Sequence, residues 1–165
     1  MILDSLSYFC EKQAVTVTGY STNMGSAGTG YIDLGETDAF DLNTNTGTEK
    51  FGVGEPIELE VLVTTALSDA ASPHAAGAAL VLETADDTAF SSNKTTVLTI
   101  GTFTAGAAPA GTKFTHRLPI SPDYRRYLRV AWTVGSGPFS VGKISAYLLK
   151  DSQQNHIYPS RITVD

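Results

Sequence analysis

Ile57-Glu58-Leu59-Glu60-Val61-Leu62-Val63 sets apolar side chains at every second position, with Ile57, Leu59, Val61 and Val63 in one phase. Successive side chains of an extended strand point to opposite faces, so these four share a face, whereas the 3.6-residue period of a helix would scatter them. The stretch therefore predicts a half-buried strand, with Glu58 and Glu60 on its solvated face.

Working outward, further strands are predicted over 13–20, 30–34, 78–84, 95–103, 113–118, 126–134 and 140–149. Each is rich in Val, Ile, Leu or Thr and bounded by turn-forming residues. In 113–118, Phe114 and Leu118 fall on one face. In 126–134, Leu128, Val130, Trp132 and Val134 do so, and in 140–149, Ile144, Ala146 and Leu148. Eight strands with Gly, Pro and Asn punctuation and no convincing amphipathic helix predict an all-β fold. The expected architecture is an antiparallel sandwich, and eight strands in two sheets is the jelly-roll number. Residues 35–54 and 66–77 read as long surface loops. An N-terminal arm over 1–12 and a tail over 151–165 flank a single domain over 13–150. Their apolar residues, Ile2, Leu3, Leu6, Phe9, Ile157 and Tyr158, need a covering surface, either the domain itself or a neighbouring molecule.

The 165 residues suffice for one core without a metal or disulfide. A formal net charge of -6 disfavours direct binding to a phosphate backbone. The single cysteine, Cys10, reads as a small buried hydrophobe in a protein made in a reducing cytoplasm. Asp4 interrupts the N-terminal stretch and no run of 18 apolar residues occurs, so neither a secretory signal nor a membrane span is expected.

The common catalytic and nucleotide motifs, G-x-S-x-G, G-K-[ST] and H-E-x-x-H, are absent. The glycine-dense stretch Gly25-Ser26-Ala27-Gly28-Thr29-Gly30 precedes a strand rather than a helix and reads as a turn. His74, His116 and His156 lack the short spacing of a zinc pair. Asp86-Asp87 reads as a turn rather than a carboxylate pair. No catalytic, cofactor-binding or metal-ligating residue is assigned, and no enzyme activity or cofactor is expected.

Arg125, Arg126 and Arg129 form the only dense basic cluster. With Leu128, Val130 and Trp132 inward, Tyr127 and Arg129 face outward, where Arg and Tyr are favoured as anchors for a protein partner. The competing reading is an internal salt bridge to a loop carboxylate such as Asp86. Partner-contact candidates are thus Ile2, Leu3, Leu6, Phe9, Asp86, Asp87, Arg125, Tyr127, Arg129 and Tyr158.

The opening MILDSLSYF, Gln13-Ala14-Val15-Thr16, Ser21-Thr22-Asn23 and Ile32-Asp33-Leu34-Gly35 together resemble the capsid cement proteins of tailed phages, of the kind found on a Bordetella phage head. The resemblance continues through Gly54-Glu55-Pro56, the segment from Leu82 to Ser92, Arg126-Tyr127-Leu128-Arg129, Gly142-Lys143-Ile144-Ser145-Ala146, Asp151-Ser152-Gln153 and Tyr158-Pro159. The two loops at 35–54 and 66–77 depart from the pattern. The resemblance implies a jelly-roll on the outer surface of the virion, bridging major capsid protein subunits without catalysis. It also implies self-association, as a dimer with a trimer as the alternative. The runner-up is a lectin-like module, which needs an exposed aromatic platform, whereas Trp132 reads as core.

Overall fold

The computed structural model describes residues 8–22, 29–34, 57–69, 77–119, 124–135 and 139–150. Among these residues there are nine strands and no helix: β1 (Tyr8–Ala14), β2 (Gly19–Tyr20), β3 (Tyr31–Asp33), β4 (Ile57–Ser68), β5 (Gly77–Ala85), β6 (Thr95–Thr104), β7 (Lys113–Arg117), β8 (Tyr127–Val134) and β9 (Val141–Lys150). All pairings are antiparallel. One sheet runs β1-β9-β4-β7, and the other runs β2-β8-β5-β6 with β3 also on β8.

The pairs β1–β9, β2 and β3 with β8, β4–β7 and β5–β6 are nested, first strand with last and innermost with innermost. That is a long hairpin rolled over itself, and β4–β9 and β5–β8 close the roll into two sheets. Because β2 and β3 lie end to end on the edge of β8, they fill one strand position, and the predicted eight-stranded jelly-roll results.

The core lies between the sheets and follows the two-residue period. Leu59, Val61 and Val63 on β4 meet the inward row of β9, Ile144, Ala146 and Leu148. Opposite them stand Leu80 and Leu82 on β5 with Leu128, Val130 and Trp132 on β8, all buried. Each large side chain removed from water there contributes about 2 kcal/mol.

Three expectations are corrected. The predicted strand over 13–20 is two strands in different sheets. Val15 is still held to β9 through its N–H on the Gly142 carbonyl (3.1 Å), whereas Ser21 N–H reaches Val130 of β8 (2.8 Å). The chain turns a corner between them. Secondly, β1 begins at Tyr8, inside the expected arm, because Phe9 and Cys10 are both 0 % exposed and need that strand to reach the core. Thirdly, β4 runs on to Ser68, so 66–68 is strand rather than loop, and Leu67 is buried against Gly142, where any Cβ would collide with it.

Candidate functional site

The outward face of the five-stranded sheet gathers the basic cluster and several of the segments that carried the resemblance. Antiparallel registry sets Glu83 of β5 opposite Arg129 of β8, and Tyr31 of β3 on the other side of Arg129. Arg129 Nε donates to Glu83 Oε2 at 3.0 Å, and Nη2 completes the ion pair 2.9 Å from the same oxygen. Its guanidinium lies over the rings of Tyr20 (4.3 Å) and Phe90 (4.1 Å). Lys94 adds a second cation 3.6 Å from Glu83. Arg126 grips Asp33 with two hydrogen bonds of 2.9 Å and lies over the Tyr127 ring, which meets Tyr31 edge-on.

A rigid loop closes one side. Asp87 accepts hydrogen bonds from the Ser91 and Ser92 N–H groups and from the Ser91 hydroxyl. These bonds hold its carboxyl below the ordinary range, the Ser91 side chain contributing most. The Asn93 amide donates to Asp86 at 2.6 Å, while Arg125 lies 3.5 Å from the other Asp86 oxygen. Phe90 and Asn93 hold positive φ angles of 53° and 48°, an uncommon state for residues with a Cβ. Phe90 tolerates it because its ring is buried under Arg129. Behind the loop, the fully buried Thr84 hydroxyl accepts from Arg125 N–H (2.8 Å) and lies 3.0 Å from the Tyr127 carbonyl, fixing the start of β8.

The expected site residues fare differently. Asp86, Asp87, Arg125, Tyr127 and Arg129 do converge. Arg129 is not an exposed anchor, however: its side chain is 11 % exposed and Glu83 12 %. The internal salt bridge exists, but Arg129 makes it with Glu83 of the adjacent strand and Arg125 makes the one with Asp86. Phe9 is covered by the domain itself. Ile2, Leu3, Leu6 and Tyr158 lie outside the described residues. Glu83, Tyr20, Phe90 and Asp33 were not among the contact candidates, although Asp33, Glu83 and Phe90 lie in segments that carried the resemblance. Glu83 also stands on the outward row of its strand, but its facing partner is known only once β5 and β8 are paired.

The outer face of the four-stranded sheet also corrects an expectation. Glu60 is 5 % exposed rather than solvated; its carboxylate accepts from the Tyr147 hydroxyl and pairs with Lys113 Nζ at 3.1 Å. Burial first, and Glu60 second, push the Tyr147 hydroxyl above its ordinary value. Glu58 Oε2 is buried without a hydrogen-bond partner. Trp132 is core, and its Nε1 donates to the Val17 carbonyl at 2.8 Å, so it offers no stacking platform. No helix long and apolar enough to cross a membrane occurs among the described residues.

Residues 9–148 match the family model Bbp16, which describes Bordetella phage proteins, whereas no curated protein matches the chain. The match runs from the first core residue of β1 to the last inward residue of β9, so it takes in both sheets and the cluster on β8. The chain therefore belongs to the Bbp16 family and is a phage structural protein.

Proposed function

We propose that this chain is a capsid cement protein that sits on the outer surface of a tailed-phage head and braces neighbouring major capsid protein subunits without turnover. The observation that carries this reading is the family match across the whole sandwich. The matched region takes in both sheets of the sandwich, and the site residues tie its segments together. The Arg129–Glu83 pair, the Arg126–Asp33 pair and the loop bonded through Asp87 lock three segments together.

A stiff body suits a brace. Several modest contact patches held at fixed spacing act at high effective concentration once the first has bound, so the bridge exceeds any single patch in strength. The reading includes self-association, as a dimer or else a trimer, which multiplies the patches. No covalent step is required of any residue.

The test compares heads assembled with and without the protein under heat and osmotic shock. Heads lacking it are expected to release DNA under milder conditions, and purified protein added back is expected to restore their resistance. Equal resistance in both preparations would refute bracing.

A further inference from the structure

A sheet edge carries unpaired N–H and C=O groups to which another chain can bond, and folded proteins protect their edges by shortness, bulges or charge. Among the described residues the two sheets end in four edges. β2 and β3 share one and are two and three residues long. β1 changes register twice along β9 and β6 twice along β5, so both of these edges are irregular. β7 is different. Its five residues pair one for one with Glu58, Leu59, Glu60, Val61 and Leu62 of β4, without a register shift, and no described strand pairs with its other side.

This straight edge presents two rows. Lys113, Thr115 and Arg117 face outward beside Leu62, Glu60 and Glu58, and all three are exposed. Phe114 and His116 face the core side beside Val61 and Leu59 and are half-buried. Phe114 packs on Phe103 of β6, with ring centroids 4.3 Å apart. In a chain of formal net charge -6, the outward row of β7 carries Lys113 and Arg117 and no acid. Lys113 keeps its contact with Glu60, yet its side chain is 58 % exposed and open to a second carboxylate.

Charge decides what can join this edge. A second copy adding its own β7 in antiparallel register with Thr115 facing Thr115 would set Lys113 of each copy opposite Arg117 of the other. Like charges directly opposite on paired strands are destabilising. An extended segment with acids at alternate positions does the reverse. Its acids stand opposite Lys113 and Arg117, and the apolar side chains between them lie beside Phe114 and prolong the core row. In strand addition of this kind main-chain hydrogen bonds give affinity, and the alternating side chains give specificity.

We propose that β7 is where an extended acidic segment of the coat protein adds a strand to the four-stranded sheet. The proposal rests on the cement reading and names a contact within it.

Hydrogen exchange of the full-length chain, free and bound to heads assembled without it, tests this. Strand addition pairs N–H groups that face solvent in the free protein, so amides over 113–117 are expected to exchange about tenfold or more slowly when bound. Arg117→Gln removes one of the two charges and is expected to bind heads about fivefold more weakly, with a shallower salt dependence, and Arg117→Lys is expected to restore both. Equal exchange over 113–117 in free and bound protein overturns the proposal and leaves the cement reading standing. Protection that is present in the free protein and lost on dilution also overturns it, making a second copy the occupant. Undiminished head binding by Arg117→Gln overturns the acidic partner. Failure of the parent chain to bind heads at all overturns the cement reading together with the proposal.

Discussion

Arg129 and Glu58 both stand on outward rows of the sandwich, one on each sheet, and their charges meet different fates. Arg129 is enclosed by a carboxylate and two aromatic rings, so its burial is compensated. Glu58 has a carboxylate oxygen withdrawn from water with nothing bonded to it. Outward direction on a strand is therefore not the same as exposure. What decides the energetics is whether the residue on the facing strand supplies a partner, and on β8 it does.

Breaking the compensated side should have the largest effect. Arg129→Ala leaves Glu83 part-buried with only Lys94 near it, and a loss of about 3 kcal/mol is expected in urea unfolding. A loss no greater than that of Arg125→Ala would show that enclosure adds nothing.

Alkaline pH probes the four-stranded side and its core. Burial pushes the Cys10 thiol from 9.0 up to about 12, and Tyr147 is also raised. Between about pH 9 and 12 the unfolded chain releases the Cys10 proton and the folded chain retains it, so stability falls as pH rises, by at most ~1.4 kcal/mol per pH unit per group. Melting temperatures across that range should decline less steeply for Cys10→Ala and for Tyr147→Phe than for the parent.

Relieving the uncompensated side should be a smaller gain. Glu58→Gln removes a charge whose buried oxygen has no partner, and an increase of about 1 kcal/mol is expected from urea midpoints. A decrease would mean that Glu58 holds a favourable charge interaction, with Arg117 facing it on β7. Arg125→Ala should be the smallest change, ~0.5 kcal/mol or less, because its 3.5 Å pair with Asp86 is largely solvated. The same measurement on both arginines sharpens the contrast between an enclosed and an open ion pair on one face.

Much of the fold was legible in the sequence. The alternation from Ile57 to Val63 identified a strand and its inward face, and Leu128, Val130 and Trp132 likewise. The corner at 15–18 was not legible, since Val15 and Val17 continue the β-favouring pattern. Nothing local reveals that the chain leaves β9 for β8 there. The cluster was half legible: Arg129 and Asp86 drew attention by their type, whereas Glu83 resembled any other charged residue on a strand.

Side-chain period is a property of neighbours along the chain, so the order of residues alone determined the β class, the inward rows and the position of the 86–94 turn. Facing partners are neighbours across a sheet, joined over separations such as the 46 residues between Glu83 and Arg129. Which charges are enclosed depends on the nesting of the nine described strands, and only the folded arrangement decides that.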